Sequence, residues 1–204
     1  PPDRSASCLV TFAGYLARSR SARVKSERRR DLAAVATMDQ IVAISEFSAR
    51  LVRDTYGRDA DAVVYPMVRF PRAGARSSGL QRDGLRVLVH TRLHWCKNTD
   101  TVIRGFALYL GKDPNATLDI VGVGPEASAL KELVEDLGLQ ESARFHGYLA
   151  EAELERVYAH CDVLAFLPMD EPFGMVFPEA AARGLMLIGP DHGGPLEILD
   201  GGKL

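Results

Sequence analysis

From Leu85 onward, short apolar runs alternate with segments of helical spacing across five runs and four helices. Leu85–His90 (LRVLVH), Thr117–Val121 (TLDIV), Ala143–His146, Asp162–Phe166 (DVLAF) and Leu185–Ile188 predict strands. Thr99–Leu110, Glu126–Leu137, Glu151–His160 and a stretch from about Pro178 to Arg183 predict the helices between them. A hairpin needs only a tight turn, whereas successive parallel strands need a crossover of roughly a dozen residues. The alternation therefore predicts an α/β fold with a parallel sheet covered on both faces.

The first 84 residues are less regular. Cys8–Phe12, Ile41–Ile44 and Val63–Tyr65 read as short strands, and Ser45 as the N-cap of a helix to about Tyr56. Residues 66–84, rich in Pro, Gly, Ser and Arg, read as a linker. So few strands do not make a self-contained domain, and the chain opens on Pro1 rather than Met. Residues 1–65 are expected to be the remnant of a first domain, and 85–204 a second domain lacking its final helix. Residues 1–30 hold eight cations and two anions within a chain of net charge −2. Such a segment can meet anionic lipid or phosphate, but no interleaved aromatics suggest stacking on nucleic acid. Hydrophobic residues at 47% and charged residues at 25% exclude collagen-like, coiled-coil and fully disordered chains. No run approaches the length of a membrane-spanning helix. Three scattered cysteines argue against a disulfide framework and fit a reducing cytoplasm.

In a parallel sheet every strand-to-helix loop lies at the carboxyl edge, where ligands bind. That edge is expected to gather 91–98, 122–125, Gly147, 167–174 and 189–194. Arg92 and Lys97 place two cations in one loop. Gly122, Gly124, Gly193 and Gly194 let backbone amides approach a ligand, and helix N-termini add donors. Together these describe a phosphate or diphosphate site. Glu171 and Glu179 flank Pro172 and Pro178. Because Pro is tolerated only in the first turn of a helix, regular helix should begin near Pro178, with Glu179 in that turn. Both carboxylates suit hydrogen bonding to vicinal sugar hydroxyls. Asp59-Ala-Asp61 falls in a turn outside this cluster and reads as coincidental. His90 and His94 lack the geometry of a zinc pair, and His146 and His192 read as structural or polar lining residues.

These residues bear a resemblance. Glu171-x7-Glu179 followed by Ala180-Ala181-Ala182-Arg183-Gly184, then Gly193-Gly194-x-x-Glu197, resembles the C-terminal domain of glycosyltransferase family 4. Arg92-Leu93-x-x-x-Lys97-Asn98 is similar to that family's cation loop. Val121-Gly122-x-Gly124-Pro125 and Phe145-x-Gly147 follow in its order, and Ile44–Ser48 and Val64-Tyr65-Pro66 resemble its interdomain segment. The resemblance implies a retaining nucleotide-sugar transferase of GT-B architecture, with a Rossmann-like doubly wound parallel sheet.

It also implies roles. Arg92 and Lys97 would hold the donor diphosphate, and Glu179 the ribose hydroxyls. Glu171 would face the transferred sugar, with the backbone of Phe173, Gly174 and Met175 nearby. Gly124, Gly193 and Gly194 would line the phosphate pocket, and Gly147, Tyr148 and Leu149 would lie against the base. With two cations and a helix N-terminus at the leaving group, no metal cofactor is expected. The donor would be a nucleoside-diphosphate sugar; the acceptor would be a carbohydrate, a lipid-linked or a small molecule. No nucleic-acid partner is expected. The setting would be cytoplasmic, with the basic 18–30 segment suited to the inner face of a membrane. Acceptor-side residues are expected to lie outside this chain, leaving it able to bind donor but poorly active. A non-catalytic nucleotide-sugar-binding protein and a sugar-nucleotide epimerase are the alternatives on the same fold. Two departures from the family pattern stand out: Thr91 occupies a place usually held by Gly, and Arg69 one usually acidic.

Overall fold

The computed structural model describes residues 22–68 and 83–199. The chain forms two compact units. Of the described residues, one comprises 22–67, 170–174 and 191–199; the other comprises 68, 83–169 and 175–190. The expected strand at Cys8–Phe12, most of the expected linker, Arg69 and residues 200–204 lie outside the described residues.

The first unit contains α1 (Ala22–Ala36), β1 (Val42–Ala43), α2 (Glu46–Tyr56) and β2 (Ala62–Val63). Helix α1 was not anticipated, because its segment ARVKSERRRDLAAVA has no clear apolar stripe. The strands β1 and β2 pair in parallel, Val42 with Ala62 and Ala43 with Val63. The second strand therefore ends two residues earlier than expected, although the Val64 N–H still donates to the Ala43 carbonyl at 2.8 Å. Ser45 caps α2 as expected: its backbone is extended and its Oγ accepts from the Ser48 N–H at 2.9 Å. The same hydroxyl donates to the Pro172 carbonyl at 2.5 Å. Ser45→Ala removes the cap and the shorter of the two hydroxyl bonds to that carbonyl, leaving Ser48 Oγ at 3.4 Å, at an expected cost of about 1–2 kcal/mol. The urea midpoint measures it, and an unchanged midpoint would mean that α2 is held without the cap.

The second unit is built on a five-stranded sheet. Its elements are β3 (Arg86–His90), a 3₁₀ turn (Trp95–Lys97), α3 (Thr99–Leu110), β4 (Thr117–Val121), α4 (Ala127–Asp136), β5 (Ala143–Gly147), α5 (Glu151–His160), β6 (Val163–Ala165), α6 (Val176–Ala182) and β7 (Met186–Ile188). All adjacent pairs are parallel, in the order β5-β4-β3-β6-β7. Numbered within the sheet, this is 3-2-1-4-5, the Rossmann order. The α/β expectation and the five expected strands hold to within a residue or two at their ends.

Period-two alternation explains the layering. Val87 and Val89 of β3 join Leu118 and Ile120 of β4 in one cluster, closed by Val102, Ile103 and Phe106 of α3 and by Leu130 and Val134 of α4. In α3 the buried positions 99, 102, 103 and 106 form one helical stripe. Leu88 and His90 point to the opposite face, where the Tyr158 hydroxyl of α5 meets His90 Nδ1 at 2.8 Å. Because β3 is buried on both faces, it reads as an unbroken apolar run. On that second face Cys161 is fully buried, and burial together with Asp119 pushes its thiol up to about 12.

Helix α6 corrects one expectation. It starts at Val176, two residues ahead of Pro178. The first four N–H groups of a helix have no intrahelical acceptor, so a proline at the third position removes no bond. Glu179 still falls in the first turn. A four-residue helix α7 (Pro195–Ile198), also unanticipated, lies in the first unit.

Candidate functional site: the carboxyl edge of the sheet

In the second unit the strand order reverses between β3 and β6, which makes the loops after these two strands the walls of the switch-point crevice. Arg92 and Lys97 leave β3 here. Arg92 is exposed and has no ion pair among the described residues. The chain folds back at once, with the His94 N–H on the Arg92 carbonyl at 2.9 Å. It then closes the 3₁₀ turn that ends at Lys97 and passes through Asn98 in the left-handed region (φ 55°). The Lys97 ammonium lies 5.8 Å from the Phe166 ring centroid, just after β6. The Met169 N–H donates to the Cys96 carbonyl at 2.9 Å. The two switch-point loops are therefore joined, and Lys97 is placed between them.

The glycine pair after β4 fixes the height of the cation loop. Thr91 N–H bonds the Val121 carbonyl at 3.1 Å and Leu93 N–H the Val123 carbonyl at 3.0 Å, so the parallel ladder continues past the end of β3. A Cβ on Gly122 would stand 1.8 Å from the Thr91 oxygen, and one on Gly124 would stand 2.0 Å from the Leu93 oxygen. Gly122 also has φ 136°. Close backbone packing between loops is thus what these glycines serve. The Gly122 N–H is already engaged by the Gly147 carbonyl at 2.8 Å. Thr91 causes no backbone strain: Asn98 is the one non-glycine with positive φ among the described residues. After β5, Gly147 has φ 67°, Tyr148 is largely exposed and Leu149 is half-buried.

Glu179 is half-buried on α6. Burial raises its carboxyl above the usual range, Arg183 opposes that shift, and Glu155 adds to it. Arg183 sits at the end of the same helix. Its Nη1 donates to the Glu179 carbonyl at 2.6 Å, and its Nε donates to Glu155 Oε2 at 3.0 Å. Its Nη2 reaches the other Glu155 oxygen, and its guanidinium covers the Tyr158 ring at 4.6 Å. None of Arg183, Glu155 and Tyr158 stood out in the sequence as a site residue.

The remaining expected residues, Met175 apart, belong to the first unit. Phe173 is buried with its ring 5.8 Å from that of Tyr65. Gly174 has φ 91°, Glu171 is half-buried, and Met175, which opens α6 in the second unit, is exposed. A Cβ on Gly194 would lie 2.0 Å from the Pro172 oxygen, and the Gly194 N–H already donates to the Glu171 carbonyl at 3.0 Å. The Gly193-Gly194 pair therefore lets two backbone segments of this unit touch. Glu197, three residues on, supplies an anion to α2: its carboxylate accepts from the Glu46 N–H at 2.9 Å, the Phe47 N–H at 2.6 Å and the Tyr65 hydroxyl at 3.1 Å. This completes the N-terminus that Ser45 caps. The Gly-Gly-x-x-Glu spacing was visible in the sequence, but the carboxylate's partner was not.

The histidines and the Asp-x-Asp have structural partners. His90 bonds Tyr158, His94 Nδ1 lies 3.2 Å from Cys96 Sγ, and His146 bonds Asp119 at 2.6 Å. Asp59 pairs with Arg53, and Asp61 accepts from the Ile41 N–H at 2.7 Å.

Comparison with known proteins places this geometry. The chain is 32% identical over 176 residues to the D-inositol 3-phosphate glycosyltransferase of Nocardia farcinica, covering 78% of this chain and 39% of that protein. It is 33% identical over 130 residues to the mannosylfructose-phosphate synthase of Agrobacterium fabrum, covering 59% and 28% respectively. The chain thus spans well under half the length of either relative. The crystal structure of Anabaena HepE in complex with UDP-glucose matches with a TM-score of 0.73 at 23% identity, over 85% of this chain and 50% of that one. This likeness marks the Rossmann-like sheet as one of GT-B type. Residues 74–203, well over half of the chain, match the family model for glycosyl transferases group 1, and the chain belongs to that family.

Proposed function

We propose that this chain binds a nucleoside-diphosphate sugar at the carboxyl edge of its sheet, and that it belongs to the retaining, metal-independent transferases of glycosyltransferase family 4. The observation that supports this reading most directly is the coincidence of the β3/β6 switch point with two cations on the loop leaving the central strand. Breaking the anomeric C–O bond builds negative charge on the diphosphate. Fixed cations that strengthen their hold as that charge develops lower the barrier. Arg92 and Lys97 are assigned that role, and with their charge in place the leaving group needs no divalent ion. The Glu179 carboxylate is assigned to the ribose diol, Glu171 to the transferred sugar, and the loop from Gly147 to Leu149 to the base.

Transfer also requires an acceptor held in line with the donor. With the chain spanning 28–39% of its two relatives, donor binding is the activity assigned to these 204 residues, and turnover by them alone is expected to be low. Calorimetric titration with UDP, GDP and ADP in the presence of EDTA tests the reading. One nucleotide is expected to bind, and Glu179→Gln to weaken it about 10- to 100-fold. A folded sample that binds none of the three would overturn the assignment.

A further inference from the structure

Behind Glu179, the second unit carries a connected polar chain that the proposed chemistry does not itself use. His90 at the end of β3 bonds the Tyr158 hydroxyl of α5, Arg183 lies over the Tyr158 ring, and its guanidinium grips Glu155 through Nε and Nη2. The remaining donor, Nη1, goes to the backbone carbonyl of Glu179. The Arg183 side chain is only 15% exposed. A buried arginine with every face occupied is held rigidly, and it holds its partners in turn.

We infer that Arg183 is the positioning residue for Glu179: bonded to the Glu179 backbone carbonyl and gripping Glu155, it ties α6 to α5 and sets positive charge beside the carboxylate that is to accept from a diol. This rests on the ribose role proposed for Glu179. The groups facing Glu179 are Arg183 from its own helix and Glu155 and Tyr158 from α5, with His90 of β3 behind Tyr158. Burial and Glu155 both favour the protonated carboxyl; Arg183 opposes them. Burial, with Arg183 adding to the effect, holds His90 below its ordinary value, and burial holds Tyr158 above its own, so both stay neutral near pH 7. Glu155, drawn down by its bond to Arg183, stays charged. Arg183 is therefore the counter-charge that opposes burial and Glu155 at Glu179. A protonated carboxyl loses part of its acceptor capacity, so nucleotide affinity should depend on Arg183 at a distance.

The test follows the Glu179 side-chain carbon by NMR in the chain labelled at glutamate, with the signal assigned through Glu179→Gln. In Arg183→Met the Glu179 titration should move to higher pH. In Glu155→Gln it should move to lower pH, because a repulsive charge is gone and Arg183 is released. Arg183→Lys, which keeps the charge but not the fork, should move the Glu179 titration less than Arg183→Met does. Opposite displacements from the two ends of one ion pair are not what loosened packing would give, and Glu155→Gln carries the test if Arg183→Met does not fold. Titrations with whichever of UDP, GDP and ADP the wild type binds, run beside it, should show Arg183→Met losing about tenfold more affinity than wild type between pH 8 and pH 5.5. A Glu179 titration that both substitutions leave in place overturns the inference. Displacements as expected, with the affinity for that nucleotide indifferent to them, support Arg183 as the residue that sets Glu179 and overturn the ribose assignment instead.

Discussion

Lys97→Ala is expected to lower the rate of nucleoside-diphosphate release from the preferred donor by about 10²–10³-fold, the scale on which one preorganised charge donor acts. The ammonium is placed twice over, by the 3₁₀ turn that ends at Lys97 and by the ring of Phe166 at 5.8 Å. On the role proposed for it, its charge would be held before any ligand arrives, with no reorganisation needed as the leaving group ionises. Affinity for the nucleoside diphosphate should fall less, by about 10- to 100-fold, since the ground-state diphosphate already bears much of the charge. The fold should survive, because an ammonium over an aromatic face contributes only about 0.5–1 kcal/mol at a partly exposed site. Nucleoside-diphosphate release in a single turnover with protein in excess over donor, beside a thermal melt, separates these effects. Loss of less than threefold in a variant that melts like the parent would remove Lys97 from the leaving-group site.

Gly122→Ala should be the most damaging small substitution in the second unit. The new methyl would stand 1.8 Å from the Thr91 carbonyl oxygen, at a φ of 136° that side chains rarely adopt. Backbone strain of about 1–3 kcal/mol adds to an overpacking cost of similar size. Relief would require β3 and β4 to part just where Thr91 and Val121 bond at 3.1 Å, carrying Arg92 with them. Expected are a melting temperature lower by several degrees and weakened nucleotide binding in whatever remains folded. A well-folded variant with normal affinity would show that the loop carrying Arg92 can shift without consequence to the ligand.

The residues differ in how readily the sequence disclosed their roles, and the difference has physical causes. The strand Arg86–His90 was legible because burial of Val87, Leu88 and Val89 on both faces leaves an unbroken apolar run, and Thr117–Val121 because its apolar, β-branched residues outnumber the one Asp119. The cap Ser45 and its helix were legible because capping is local chemistry. The position of Arg92 and Lys97 on the loop leaving β3 was legible because the apolar strand before them and the helical spacing after them are local patterns. The start of α6 was misjudged by two residues: Pro178 limits how deep in a helix it can sit, not whether two residues precede it. Helix α1 was missed because its composition lacks an apolar face. Gly194 was expected to offer its amide to a ligand, yet that amide is taken by Glu171, a partner more than 20 positions away that no local pattern announces. The partners of Arg183 and Glu197 escaped for the same reason: Glu155 and the first amides of α2 lie on other helices, 28 and 150 or more positions away.

Glu197 has one more implication, for the order in which the protein takes shape during synthesis. The first amides of α2 are answered by a carboxylate 150 and 151 positions downstream. At roughly 5–20 residues per second, the ribosome delivers that carboxylate roughly 8–30 s after the helix has emerged. Over that interval Ser45 alone must tend the nascent helix start, and a chaperone or a wrong anion has ample time to reach it first.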